Sequence, residues 1–186
     1  MPSLTRLRYL YLAYFSKPVG DRVLYRAIRR VRARRILEIG IGSPARTLRL
    51  VDLARRGAGA EAVRYAALDP FEARAADKPR GMTLKETHQL LSSTRAQVQL
   101  IPGEVAQALA RAANALQNMD LVVISADYDG ASLGEAWFYV PRMLHARSRV
   151  YLESRLPERP GTSLRLMAAS EIERLAAGCR RRRTAA

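Results

Sequence analysis

Short apolar runs alternate with stretches of helical periodicity from about residue 35 onward. The run 121–124 (Leu-Val-Val-Ile) is continuously apolar, as expected for a parallel strand that is buried on both faces. Apolar residues between 105 and 116 instead recur at three- and four-residue intervals, as on one face of a helix. Similar short runs, most of them stopped by glycine or proline, predict further strands at 35–39, 63–68, 97–101, 149–152 and 164–167.

This alternation predicts an α/β domain. Helices are expected at about 45–56, 83–93, 105–116 and 133–144, and the capping-box sequence 170–173 (Ser-Glu-Ile-Glu) begins a last short helix. We predict a Rossmann-like three-layer α/β/α sandwich with a mostly parallel sheet of about six strands. The expected divisions are an N-terminal helical extension over 1–34, the α/β domain over 35–178, and a basic disordered tail over 179–186.

The chain carries a formal net charge of +15, and only three of its 32 basic residues are lysines. A basic surface can bind nucleic acid through its phosphates, and the arginine clusters at 29–35 and 180–183 are candidates for such contacts. The arginines are also scattered through almost every segment, which fits a bias in composition equally well. The net charge alone therefore does not decide whether the chain binds nucleic acid.

Composition also limits the chemistry and the setting of the chain. The single cysteine, Cys179, excludes an internal disulfide, and the spacing of cysteine and histidine matches no zinc site. No apolar run approaches the roughly 20 residues that cross a bilayer, and Arg6 and Arg8 interrupt the apolar start in a way that a signal peptide does not. We therefore expect a cytoplasmic protein with no bound metal and no membrane partner.

Glycines follow the first predicted strand directly, in the segment 38–42 (Glu-Ile-Gly-Ile-Gly). Glycine lets the backbone turn sharply and approach a ligand that lies across the carboxyl ends of parallel strands. Asp69 ends the second predicted strand, where a carboxylate can accept hydrogen bonds from both hydroxyls of a ribose. Because Asp69-Pro70 is also a common turn sequence, a plain turn is the alternative.

Four segments together resemble the successive cofactor motifs of class I S-adenosylmethionine-dependent methyltransferases. They are 37–42 (Leu-Glu-Ile-Gly-Ile-Gly), 67–70 (Ala-Leu-Asp-Pro), 101–104 (Ile-Pro-Gly-Glu) and 121–128 (Leu-Val-Val-Ile-Ser-Ala-Asp-Tyr), within about residues 35–153. The resemblance implies that S-adenosylmethionine is the cofactor, that Glu38 and the glycines lie against its methionine part, and that Asp69 binds its ribose. The cofactor-binding residues that it implies are Glu38, Gly40, Ile41, Gly42, Asp69, Pro70, Gly103, Glu104 and Ser125.

Two positions favour a methyl donor over a dinucleotide. Ala45 stands where the G-x-G-x-x-G pattern needs its third glycine, and Glu38 would repel a pyrophosphate but suits an ammonium group. Glu104 takes the position that usually meets the adenine amino group in the family. An acid in the first turn of a helix is also favoured by the helix dipole, so both interpretations of Glu104 stand.

The resemblance is incomplete at the positions where chemistry would occur. Pro44 replaces the third glycine of the usual loop. Ser125 and Tyr128 replace the first acid and the histidine of the Ile-Asp-Gly-Asp-His segment that many small-molecule O-methyltransferases carry, so metal-dependent catalysis is not expected. Asp127 or Asp129 is a candidate general base toward a substrate hydroxyl, with Tyr128 orienting that substrate; an ordinary loop is the alternative.

The sequence thus leaves two functions to compare. The first is an S-adenosylmethionine-dependent methyltransferase that acts on an oxygen or nitrogen of a small-molecule acceptor, with Asp127 and Tyr128 as its candidate catalytic residues. The second is a non-catalytic relative that binds nucleic acid or protein through its basic surface.

Overall fold

The computed structural model describes residues 4–74, 81–128, 133–156 and 161–184. A six-stranded sheet forms the centre of the fold in these ranges. Its strands are β1 Arg35–Ile39, β2 Arg64–Asp69, β3 Gln97–Pro102, β4 Met119–Ile124, β5 Leu144–Arg155 and β6 Thr162–Leu166. Their order is β3-β2-β1-β4-β5-β6, and every neighbouring pair is parallel except β5 and β6. The predicted mostly parallel sheet of about six strands is confirmed.

Helices cover both faces of this sheet. The α-helices are α1 Leu4–Leu10, which continues as a π-helix over Tyr11–Phe15, α2 Arg22–Val31, α3 Pro44–Gly57, α4 Leu84–Ser92, α5 Val105–Ala112 and α6 Ala169–Thr184. Short 3-10 helices lie at Val19–Asp21, Phe71–Ala73, Gly134–Phe138 and Val140–Met143. Local sequence explains where α3 begins, because the Ser43 side chain accepts a hydrogen bond from the N–H of Arg46 and Pro44 occupies the first turn.

Two hydrophobic cores fill the space between the sheet and its helices. Successive side chains of a strand point to opposite faces, so Ile36 and Leu37 of β1 lie in different cores. The core around Ile36 includes residues of α2 and α3, and the core around Leu37 includes residues of α5 and α6. The α/β/α sandwich is therefore confirmed.

The segment after β4 differs from the prediction. The stripe over 133–144 predicts one helix, but the structure has two 3-10 helices there, and β5 already begins at Leu144. Gly134 has a φ of +43°, and Pro141 lacks the N–H that a continuous helix would need. The apolar spacing does mark a buried face, since Leu133, Ala136 and Val140 are all buried.

The end of the chain also differs from the prediction. The sixth strand is antiparallel to β5 and ends the sheet at that side. Helix α6 continues to Thr184, and residues 179–184 are thus helical where a disordered tail was predicted. Cys179 explains part of this difference, because it is buried in the core and its Sγ lies 3.1 Å from the carbonyl oxygen of Gly134.

Candidate functional site

The carboxyl ends of β1, β2 and β4 bring three of the predicted site segments together. Gly40 turns the chain after β1 with a φ of +79°, and its N–H donates to the carbonyl of Leu68 in β2 at 2.7 Å. On the other side, the N–H of Ser125 donates to the carbonyl of Ile39 at 2.9 Å. The sheet reverses its strand order between β1 and β4, which is where open α/β sheets bind ligands.

Asp69 is buried at this edge, and its carboxylate is held by three neighbours. Oδ2 accepts a hydrogen bond from the N–H of Ile41 at 2.9 Å, and Oδ1 accepts one from the N–H of Phe71 at 2.8 Å. Nη2 of Arg74 reaches both oxygens, at 2.8 and 2.9 Å. A carboxylate offers about four lone-pair positions, so these contacts fill the hydrogen-bonding capacity of Asp69.

Arg74 links Asp69 to the second candidate carboxylate. Its Nη1 donates to Oδ2 of Asp127 at 3.0 Å, while Arg155 donates to Oδ1 of Asp127 at 2.8 Å. Partial burial alone would raise the pKa of Asp127, but the hydrogen bonds and charges of Arg155 and Arg74 outweigh burial and lower it. A carboxylate with a lowered pKa is a weak base, so this arrangement does not favour Asp127 in proton abstraction.

Tyr128 packs directly on the glycine turn. A Cβ atom added to Gly40 would lie 2.7 Å from Cε2 of the Tyr128 ring, so only glycine leaves room for this ring. Burial raises the pKa of the Tyr128 hydroxyl, and the negative charges of Asp69 and Glu104 raise it further. Tyr128 is therefore a protonated phenol at neutral pH, and it can donate a hydrogen bond but not accept a proton.

Glu38 lies in the interior and does not reach the surface of this edge. Its side chain is fully buried, and its Oε2 accepts hydrogen bonds from Thr47 and Tyr65, each at 2.6 Å. Its Oε1 has no hydrogen-bond partner among the described residues and lies 3.8 Å from Nε of Arg46. Burial raises the pKa of Glu38 despite the nearby positive charge of Arg46.

Arg46 connects Glu38 to two further acids. Its guanidinium forms a bidentate ion pair with Glu153 at the end of β5, with N–O distances of 2.6 and 3.1 Å, and it lies 3.7 Å from Asp21. A Cβ atom on Gly42 would lie 2.7 Å from Nη2 of Arg46, so this guanidinium fills the space beside the second glycine. We call Asp21, Glu38, Arg46 and Glu153 the buried ionic cluster.

The other predicted site residues lie around this edge. Ile41 contributes its backbone N–H to Asp69, and Pro70 starts the 3-10 turn that follows. Gly103 has a φ of +120°, and its N–H donates to the carbonyl of Asp69 at 3.2 Å. Glu104 is exposed and precedes α5, with no side-chain hydrogen bond to cap that helix. Asp129 lies outside the described residues.

Three residues at this edge or in the interior below it were not found from the sequence. Arg74 lies in a connection that has no periodic pattern, and nothing in its neighbourhood marks it. Arg46 and Glu153 are 107 residues apart, so their pairing has no local pattern. The position of Glu153 near the carboxyl end of the fifth strand could nevertheless have suggested that it belongs to the site. The other strands that meet at this edge also carry polar residues at their carboxyl ends.

Two further properties concern metals and membranes. The described residues contain no group of three or more His, Cys, Asp or Glu side chains that could hold a metal ion. No helix in the described ranges is both long enough and apolar enough to span a bilayer.

The sequence matches no protein-family model and no curated protein, but the fold matches solved structures. An O-methyltransferase from Bacillus cereus, in complex with SAH, superposes with a TM-score of 0.55 at 18% identity, covering 82% of this chain and 67% of the other. A Klebsiella pneumoniae protein assigned as an O-methyltransferase gives 0.56 at 18% identity, covering 96% and 78%. The O-methyltransferase TomG from Streptomyces achromogenes, involved in tomaymycin synthesis and in complex with SAM, gives 0.54 at 13%, covering 97% and 78%.

These similarities show the fold. The chain has the Rossmann-like fold of class I methyltransferases, as the resemblance of its motifs predicted. The glycine turn, Asp69 and the segment after β4 lie at the edge where this kind of sheet binds its ligands.

Proposed function

We propose that the chain is an S-adenosylmethionine-dependent methyltransferase that binds its cofactor at the carboxyl ends of β1, β2 and β4. The observation that carries the proposal is the position of Asp69. Its carboxylate is held beside the Gly40 turn, at the point where the strand order reverses, by the N–H groups of Ile41 and Phe71. An acid at the end of β2 in such a sheet suits the two hydroxyls of a ribose.

The residues at this edge fit the nucleoside half of the cofactor if the ribose replaces Arg74 on Asp69. The two N–H groups leave one acceptor position on each oxygen of Asp69, and both positions are taken by Arg74. A ribose diol also donates two hydrogen bonds to a carboxylate, so it can replace Arg74 there. Binding of the ribose therefore requires that Arg74 leave Asp69.

The methionine half fits less directly. Gly42 faces the guanidinium of Arg46, and Glu38 is buried below the loop and bound by Thr47 and Tyr65. We propose that Glu38 orients the start of α3 through Thr47. The assignment of Glu38 to the methionine part remains a prediction.

S-adenosylmethionine supplies, when bound, a methyl group on a sulfonium that a nucleophile takes by direct displacement. Asp127 is a weak base here, and Tyr128 stays protonated, so neither residue removes a proton readily. We propose that Tyr128 donates a hydrogen bond that orients an oxygen or nitrogen of a small-molecule acceptor. The chain would then act mainly by positioning, and the acceptor would need to be nucleophilic already.

Isothermal titration calorimetry with S-adenosylmethionine and S-adenosylhomocysteine tests this proposal. Asp69→Asn removes the charge and one acceptor oxygen, so we expect affinity for both compounds to fall about tenfold or more. Glu171→Gln is the matched control, because it removes an acid from an exposed ion pair with Arg165 and should leave affinity unchanged. Absence of binding to the folded wild-type protein at millimolar concentration, together with no binding by a variant that frees Asp69, would contradict the proposal.

The second candidate is a non-catalytic relative that binds nucleic acid or protein. The filled hydrogen-bonding capacity of Asp69 and the two arginines that hold Asp127 favour it, because a site that is closed by its own side chains needs no cofactor. The exposed arginines at 29, 30, 32 and 34 would supply its phosphate contacts. This candidate requires that neither the wild-type protein nor a variant that frees Asp69 binds S-adenosylmethionine or S-adenosylhomocysteine in calorimetry.

A further inference from the structure

The first helix carries an apolar stripe that the rest of the described chain leaves partly or largely exposed. Large apolar side chains recur at intervals i, i+3, i+4, i+7 and i+8, the spacing of one face of a helix. They are between 38% and 70% exposed, whereas the opposite face of the same helix buries Leu12 and Ala13. We call this set the N-terminal stripe, and its members are Leu7, Leu10, Tyr11, Tyr14 and Phe15.

The charged residues of the segment that carries the N-terminal stripe are all basic, and one of them, Arg8, pairs with Asp52 of α3 at 3.1 Å. Residues 1–20 contain no Asp or Glu, and Arg6, Arg8 and Lys17 are exposed beside or between the stripe positions. Arg26 of α2 lies over the ring of Tyr14 at 5.9 Å, which adds a further positive charge at the stripe. A partner for this face must therefore combine an apolar interior with a negative surface.

We propose that the N-terminal stripe docks the protein on the surface of an anionic lipid bilayer. Leucine and phenylalanine side chains would enter the boundary between headgroups and acyl chains, and the tyrosine hydroxyls would stay at the headgroup level. The arginines would lie against the negative headgroups. A helix that lies in the interface in this way needs no spanning segment, so the absence of such a helix among the described residues does not oppose the proposal.

Two other occupants fit the stripe less well. A second copy of the chain in a symmetric dimer would set one arginine-bearing stripe against another, and like charges at an interface are unfavourable. Single-stranded nucleic acid would suit the positive charge and the tyrosines, but its bases stack on aromatic rings. Leu7 and Leu10 have no such ring, so nucleic acid would leave that part of the apolar face exposed.

Co-sedimentation of the full chain with lipid vesicles tests the proposal. We expect binding to vesicles of phosphatidylcholine and phosphatidylglycerol in equal parts, and much weaker binding to phosphatidylcholine alone. The double substitution Tyr11→Ser and Phe15→Ser should lower the partition onto anionic vesicles about tenfold or more. The control substitutes Leu84→Ser and Leu166→Ser, which are also exposed but lie on α4 and β6, and it should bind like wild type.

Several outcomes would overturn the proposal. Equal partition of the stripe variant and wild type, with both folded by circular dichroism, would show that the stripe does not contact lipid. A dimer in sedimentation velocity that the stripe variant converts to a monomer would assign the stripe to a second copy. Gel-shift binding of single-stranded RNA that the stripe variant loses, without vesicle binding by wild type, would assign it to nucleic acid.

Discussion

The edge of the sheet and the interior below it each hold an arginine between acids, and the two groups differ in burial and in what they touch. Arg74 joins Asp69 and Asp127, its side chain is 9% exposed, and Asp127 is about a quarter exposed. Arg46 joins Glu153, Glu38 and Asp21, and all four side chains are buried. Arg74 can therefore be exchanged for a ligand near solvent, whereas Arg46 is the cation that compensates three buried acids at once.

The largest effect on stability should come from removing the arginine of the buried ionic cluster. Arg46→Met leaves three buried carboxylates without their cation, and we expect the free energy of unfolding to fall by about 3–5 kcal/mol. Urea unfolding followed by circular dichroism measures this change. Arg165→Met is the matched control, since its exposed pair with Glu171 should contribute at most about 1 kcal/mol. Similar losses of unfolding free energy in both variants would mean that Arg46 in the buried ionic cluster contributes no more to stability than an arginine in an exposed ion pair.

A smaller effect, a gain in ligand affinity, should come from removing Arg74 at the edge of the sheet. Arg74→Met frees both oxygens of Asp69, so we expect affinity for S-adenosylhomocysteine to rise about tenfold by calorimetry. Arg155→Met removes the other arginine on Asp127 and leaves Asp69 untouched, so its affinity should match wild type. Weaker binding by Arg74→Met would instead mean that Arg74 contacts the ligand.

The smallest effect should appear in the pH dependence of stability. Burial raises the pKa of Glu38, so the native state holds this proton more tightly than the unfolded chain, and ionisation of Glu38 costs stability as pH rises through the raised pKa. Glu38→Gln should therefore gain stability relative to wild type as pH rises. Glu153 differs, because Arg46 outweighs burial and lowers its pKa, so its contribution is present at neutral pH and lost as pH falls through that lowered pKa.

Urea unfolding from about pH 4 to about pH 8 separates these two glutamates. The stability of Glu38→Gln relative to wild type should rise with pH, and that of Glu153→Gln should fall. A difference that stays constant across this range for Glu38→Gln would mean that Glu38 ionises as readily in the native state as in the unfolded chain.

The fold could be predicted because its determinants are local. The continuous apolar run of β4 and the glycine that stops β1 each define a strand without knowledge of the rest of the chain. The 3-10 helices between 134 and 143 were missed because an apolar stripe reports which face is buried and does not fix the hydrogen-bonding pattern.

The candidate site could be predicted only in part, for a physical reason. Gly40 and Asp69 were found because strand ends converge at one edge of a parallel sheet. Arg74 binds Asp69, and the ring of Tyr128 packs on Gly40. These side-chain contacts cannot be predicted from the spacing of residues in the sequence. Glu38 was assigned a ligand role from its position in a motif, and the structure places it against Thr47 and Tyr65.

The pairing of Arg46 with Glu153 also bears on the order in which the chain folds. The cluster takes one residue from the extension, one from β1, one from α3 and one from β5, and Thr162 of β6 donates a hydrogen bond to Glu153 at 2.6 Å. Contacts between residues so distant in sequence form late, because closing long loops is entropically costly. We therefore expect the loop at Gly42 to reach its native shape only after the β5–β6 hairpin has joined the sheet.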